Sequence, residues 1–259
     1  MRDDFDRRIT RRQFGISAGY ALASLAAFGQ ACTLPTNAAD DKDSRLTARP
    51  HDRVKTTLKS GPLGLGADGR DGVIQMPSVV PEGKVPLIVF LHGATQNGAG
   101  MLRRIGSVAD QLGIAVLAPD SRNTTWDAIR GEFGVDVKFL NRALSLVFER
   151  LNVDPDRLAI GGFSDGASYA LSLGLANGDL FPRVVACSPG FVISAPPHGH
   201  AHFFISHGTS DQVLPIDMCS RLIVPRLRSI GYDVTFREFD GRHELPPDIA
   251  KEALGWMTA

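Results

Sequence analysis

The chain alternates between short, wholly apolar runs and longer stretches whose apolar residues recur every three or four positions. Pro86–Leu91 reads Pro-Leu-Ile-Val-Phe-Leu, which predicts a strand buried on both faces. Met101, Leu102, Ile105, Val108, Ala109 and Leu112 follow at helical spacing, and Gly113 can end that helix. Ile114–Ala118 is a second apolar run, stopped by Pro119. Asp136 is read as the N-cap of the next helix, whose stripe is Leu140, Ala143, Leu144, Val147, Phe148 and Leu151. Strands are predicted at 158–163, 184–187 and 203–206, with a helix at 167–176. A helix at 217–230 should kink at Pro225. Residues 232–239 alternate like a half-exposed strand, and Pro247 opens a last helix to about Met257. Such strand–helix alternation means an α/β fold with a mainly parallel central sheet covered by helices on both faces. In these sheets reactive groups gather at the carboxyl ends of strands.

The first 31 residues break this pattern. A basic stretch, Arg7 to Arg12, precedes 14 residues rich in Ala, Gly and Leu, Gly15 to Phe28. That run is shorter than the roughly 20 residues of a membrane span and has the length of a signal h-region. Thr10-Arg11-Arg12-Gln13-Phe14 resembles a twin-arginine export motif, without its usual Leu-Lys continuation. Gly29-Gln30-Ala31 suits cleavage after Ala31, and Cys32 then stands where a lipoprotein carries its acyl anchor. Residues 1–31 are therefore expected to be an export signal, 32–52 a flexible spacer, and 53–259 the folded catalytic domain. The expected location is periplasmic or extracellular, with a lipid anchor at Cys32 left open.

Composition narrows the function. The 259 residues carry 28 basic and 28 acidic side chains. That balance gives no basic excess for binding nucleic acid. Three Cys make no disulfide scaffold, and no Cys-x-x-Cys pair suggests a zinc ribbon. Cys187 and Cys219 are read as buried hydrophobes, with a disulfide between them left open.

Gly162-Phe163-Ser164-Asp165-Gly166 falls between a predicted strand and a predicted helix. This Gly-x-Ser-x-Gly turn lifts a serine hydroxyl above a sheet and needs small residues two positions to either side. A serine hydroxyl is a weak nucleophile without a base. His243 follows the last predicted strand and Asp211 the one before it. Ser164 is therefore assigned as nucleophile, His243 as general base and Asp211 as the group that orients the imidazole. Asp240, three residues before His243, stays open as an alternative acid. An oxyanion hole needs two backbone N–H donors. Asp165 supplies one, and Ala94, in Leu91-His92-Gly93-Ala94, the other. His92 is read as a brace of that loop, and His207 as a buried, hydrogen-bonded strand residue. His198, His200 and His202 alternate in a Pro/Gly-rich loop with no acid cluster and are read as solvated. No cofactor or metal is expected.

With these residues in view, the chain resembles the phospholipase/carboxylesterase branch of the α/β-hydrolases. It is also similar to esterases related to polyhydroxyalkanoate depolymerases. The resemblance rests on Phe90-Leu91-His92-Gly93, Gly161 to Ala167, His207-Gly208-Thr209-Ser210-Asp211 and the Gly241–His243 turn. It implies cofactor-free hydrolysis of carboxylic esters, short acyl or lysophospholipid-like, by Ser164, Asp211 and His243. Thioesterase or peptidase chemistry with the same triad, or a non-catalytic binding protein on this scaffold, remain as alternatives. Arg242 stands where relatives often have Gly, which sets a cation beside the base. Only Ser188 to His202 lies between two predicted strands, so no lid domain is expected there. Trp126 and Phe191 are pocket candidates, with core packing the plainer role.

Overall fold

A computed structural model describes residues 44–52, 54–66 and 69–259. The export signal, the Ala31 cleavage point and Cys32 lie outside the described residues.

Eight strands form one sheet: β1 (Gly61–Pro62), β2 (Gly72–Gln75), β3 (Val85–Leu91), β4 (Ala115–Pro119), β5 (Val153–Phe163), β6 (Arg183–Cys187), β7 (His202–Gly208) and β8 (Val234–Phe239). Their order across the sheet is β1-β2-β4-β3-β5-β6-β7-β8. β1 pairs with β2, and β2 with β4, antiparallel; the other pairings are parallel. The helices are α1 (Gly98–Gln111), α2 (Asp127–Arg130), α3 (Val135–Arg150), α4 (Asp165–Ala176), α5 (Ser220–Ser229) and α6 (Pro247–Trp256).

The alternation of side chains along a strand divides the core in two. From β3, Leu87, Val89 and Leu91 pack on one face with Leu140, Leu144 and Val147 of α3 and Ala167 and Leu171 of α4. Ile88 and Phe90 face the other way, onto Met101 and Ile105 of α1 and Ala253 and Leu254 of α6. Every residue of β3 is buried, which is why the run lacks polar positions. Pro86 donates no ladder bond, and the pairing of β3 with β5 shifts register between Val85 and Leu87.

Three expectations need correction. Asp136 does not cap α3; Gly134 does. Asp136 sits inside the first turn, where its carboxylate accepts the N–H groups of Arg122 and Asp127 at 2.5 and 2.7 Å. The predicted helix 217–230 is a 3₁₀ turn, Ile216–Met218, then α5, broken at Cys219 rather than at Pro225. The spacer reading fails for residues 44–50. Leu46 is buried, and its N–H donates to Asn177 Oδ1 at 2.8 Å. Asn141 Oδ1 accepts from Thr47 N and Ala48 N. Asp179 bridges Arg45 and Arg49 at 2.8 and 2.6 Å; the hydrogen bond from Arg45 leads in holding its carboxyl down at about 2.

Candidate active site

Ser164 directly follows β5, in the middle of the sheet, with φ 59° and ψ −121°. A non-glycine residue in this region is strained, and the surroundings must hold it there. Its N–H donates to Cys187 O at 2.9 Å, at the end of β6. Its carbonyl accepts Ala167 N and Ser168 N at 2.9 and 3.0 Å, starting α4. The flanking glycines leave room for this turn. A Cβ on Gly162 would collide with the Gly166 carbonyl, and one on Gly166 with the Leu91 carbonyl.

The structure brings the three predicted side chains together. Ser164 Oγ lies 2.8 Å from His243 Nε2. His243 Nδ1 lies 2.6 Å from Asp211 Oδ2. Asp211 Oδ1 accepts Val213 N and Leu214 N, both at 2.8 Å. With both oxygens accepting, the acceptor-only carboxylate is the form that fits, so Nδ1 is the protonated nitrogen of His243. Burial works to raise the Asp211 carboxyl, but the hydrogen bonds from His207, His243 and Leu214 outweigh it and hold it well below the usual range. Asp240 is exposed and makes no hydrogen bond to His243. The imidazole of His243 packs on the Phe163 ring, centroids 4.9 Å apart, and the Arg104 guanidinium stands 5.5 Å from the Phe163 centroid.

Ala94 and Asp165 flank Ser164 from two sides, one in the loop after β3 and one at the start of α4. Neither backbone N–H has a hydrogen-bond partner among the described residues. The peptide that carries the Ala94 N–H is fixed by its carbonyl: Gly93 O accepts from His92 Nδ1 at 2.7 Å and from Gln96 N at 3.2 Å. In a trans peptide the N–H points opposite to the C=O, so pinning one aims the other. A Cβ on Gly93 would press on the nucleophile, 3.3 Å from Ser164 Cβ. Thr95, at φ 62°, turns the loop and donates its N–H to Thr124 O at 2.6 Å. The Asp165 carboxylate accepts from Thr125 Oγ1 at 2.7 Å, and burial raises its carboxyl.

Other candidates take structural places. Trp126 is fully buried, donates from its indole N–H to His92 O at 2.9 Å and stacks on Tyr169. It is core, not pocket lining. The segment after β6 is pinned to α4: Ser168 Oγ accepts Gly190 N at 2.9 Å and Ser172 Oγ accepts Ile193 N at 2.8 Å. Cys187 and Cys219 carry free, buried thiols, and burial pushes them up to about 11 and about 12. His202 bridges Asp233 at 3.2 Å, and His200 stacks on Tyr232. Arg242 is exposed and forms no ion pair among the described residues. Sequence reasoning did not find the contact of His207 with Asp211, which depends on how the loop after β7 turns back, nor the Thr125–Asp165 bond, which joins residues 40 positions apart.

The chain is similar to several known proteins. The phospholipase/carboxylesterase family (Abhydrolase_2) matches residues 136–256. NocK of Nocardia uniformis subsp. tsuyamanensis, a protein assigned as an esterase, is 26% identical over 235 residues, 81% of this chain and 66% of its own length. A poly(3-hydroxybutyrate) depolymerase of Ralstonia pickettii is 31% identical over 126 residues, 40% of this chain and 25% of its own length. The chain thus spans less than two thirds of these relatives. Among solved structures, the fluorophosphonate-binding serine hydrolase FphF of Staphylococcus aureus superposes with a TM-score of 0.61 at 15% identity, over 73% of this chain and 92% of that one. The chain has the α/β-hydrolase fold and is similar to the phospholipase/carboxylesterase family over residues 136–256.

Proposed function

We propose that the protein is a serine hydrolase that cleaves carboxylic esters through an acyl-enzyme. The hydrogen-bond chain Ser164–His243–Asp211 carries this reading. His243 Nε2 takes the Ser164 proton as Oγ attacks the ester carbonyl carbon. The tetrahedral oxyanion is received by the Ala94 and Asp165 N–H groups. Imidazolium Nε2 then protonates the leaving alcohol, and the carbonyl reforms as the acyl-enzyme. Water, deprotonated by His243, releases the carboxylic acid and restores Ser164. Asp211 stays ionised throughout and steadies the imidazolium. Similarity to NocK, assigned as an esterase, supports an ester as substrate. Residues 1–31 are proposed to direct export by the twin-arginine machinery, on the strength of Thr10 to Phe14 and the apolar run behind it. Whether Cys32 carries a lipid anchor would be read from the mass of the exported N-terminus.

The test is hydrolysis of p-nitrophenyl esters from acetate to palmitate by the protein and by Ser164→Ala, with acyl thioesters alongside. Turnover that the substitution abolishes is the expected result, and the chain-length optimum sizes the acyl pocket. Equal turnover by both proteins would overturn the reading. Preference for thioesters would move the substrate class while keeping the triad.

A further inference from the structure

His207 is the last residue but one of β7 and is fully buried. Its Nε2 faces two acceptors, Leu214 O at 2.8 Å and Asp211 Oδ2 at 3.2 Å. Neither can donate, so Nε2 carries the proton, donating it to Leu214 O with the Asp211 carboxylate close beside. Its Nδ1 lies 2.7 Å from the hydroxyl of Ser220, the buried first residue of α5. With Nε2 protonated and the ring neutral, Nδ1 is an acceptor and Ser220 Oγ donates to it. The proton on Nε2 is thus set by its acceptors, and the Ser220 hydroxyl can complement it at the other end.

Asp211 Oδ2 therefore faces two imidazoles: His243 donates to it at 2.6 Å, and His207 Nε2 stands 3.2 Å away. Ser220, His207, Asp211, His243 and Ser164 form one continuous chain of polar contacts, three of them close and the His207–Asp211 one at 3.2 Å. His207 also closes the acid loop, because Leu214, whose carbonyl it holds, donates its own N–H to Asp211 Oδ1 at 2.8 Å. We propose that His207 is a positioning residue for the reaction: through its Nε2–H, backed by Ser220, it fixes the Asp211 carboxylate and takes up part of the charge that Asp211 offers to His243. The proposal rests on the serine-hydrolase reading of the site.

The charged and titratable groups around His207 are few. Asp211 and His243 lie on the chain itself. Glu238 of β8 pairs with His207 across the sheet register and is bound by Arg221 of α5, which also holds Asp217. Cys219 is close enough to Asp211 for the carboxylate to help raise its thiol, after burial. None of these competes for His207 Nε2 in the structure.

Two substitutions of similar polarity separate the ends of the ring. In His207→Gln the side-chain amide can still donate where Nε2 did. In His207→Asn the shorter amide reaches only toward Ser220. Removing a donor from Asp211 leaves more negative charge facing His243, which favours the imidazolium. The titration midpoint of His243, read by ¹⁵N NMR, should therefore rise in His207→Asn by about half a pH unit or more. It should stay near the wild-type value in His207→Gln. The acid limb of kcat/KM should move in the same direction and by the same amount. A fall in activity with an unmoved midpoint in His207→Asn would overturn the proposal, since it would mean a structural role alone. So would a His207→Gln protein that shifts as much as His207→Asn. If neither variant folds, the wild-type spectrum still decides: the ¹⁵N shifts of His207 must show Nε2 carrying a proton, and a His207 with Nε2 unprotonated sinks the idea. The midpoint is read without any substrate. Absence of ester hydrolysis would therefore defeat the proposed function without bearing on this result.

Discussion

His92 donates from Nδ1 to the carbonyl oxygen of its own neighbour, Gly93, at 2.7 Å. The assignment follows from the other nitrogen, since Nε2 accepts the backbone N–H of Ser121 at 2.9 Å. A ring that accepts there and donates here is neutral, and burial lowers its pKa in agreement. The brace read from the sequence thus has a specific object: the Gly93 carbonyl, and through it the direction of the Ala94 N–H. His92→Ala should leave Ser164, His243 and Asp211 in place and reduce kcat by about 10- to 100-fold, somewhat less than outright loss of one oxyanion donor. KM for a short ester should change little. The folded pKa lies below the unfolded one, so the contribution of His92 to stability is present above the unfolded value and lost as pH falls through the folded one. Chemical denaturation between pH 7 and 5 would check this. A His92→Ala protein whose stability falls as steeply over that range as the wild type's would count against it.

Asp211 makes a second pH prediction. Its carboxyl is held well below the usual range, so it remains ionised wherever the enzyme stays folded. The acid limb of log kcat/KM should then reflect a single protonation, that of His243, and fall with unit slope to about pH 4. A slope of two would mean that a second essential group is titrating. The same depressed value makes Asp211 a stabilising carboxylate above its unfolded pKa, with that stability lost as pH falls toward the folded value.

How far the sequence reached can be judged from particular elements. The all-apolar strands β3 and β4 and the stripe of α3 were legible because full burial removes polar residues and makes the period plain. Ser164, His243 and Asp211 were legible because each follows a strand that could be placed. β1 and β2 were not: they span two and four residues, too few for alternation to register. Asp136 reads as a cap because Asp commonly caps. The same acceptor chemistry serves instead to tie Arg122 and Asp127. The second histidine on Asp211 was invisible, since its meaning depends on how the loop after β7 folds back, which spacing does not encode.

The segment at 44–50 illustrates the same limit and can be tested directly. Its sequence is largely polar, yet Leu46 and Ala48 are inserted into the core beside polar anchors on Asn141, Asn177 and Asp179. A chain starting at residue 53 would uncover that site and leave the Asn177 amide without the Ser44 carbonyl it now holds at 2.9 Å. Leu46→Ala alone should destabilise the protein by about 2–4 kcal/mol. The chain from 53 should be less stable still than one starting at 44. Equal melting temperatures for the two would show that the segment does not contribute.

Arg242 is the last departure that bears on catalysis. It precedes His243 and pairs with no carboxylate among the described residues. A nearby cation disfavours the imidazolium, so Arg242→Gly should move the acid limb of kcat/KM to higher pH. The guanidinium is exposed, and exposed charges are screened by water and salt. The shift should therefore be small, about 0.3 pH unit or less at low ionic strength, and should vanish in about 0.5 M salt. Esters that carry a carboxylate on the leaving group offer a separate reading. If Arg242 selects for them, their KM should rise several-fold in Arg242→Gly while that of a neutral ester of the same length does not. Coincident pH profiles would remove the electrostatic effect on His243, and parallel KM changes for both esters would remove the selectivity. In that case the arginine serves only the turn, where Arg242 N donates to Glu244 Oε1 at 3.0 Å, a bond that any residue but proline could make.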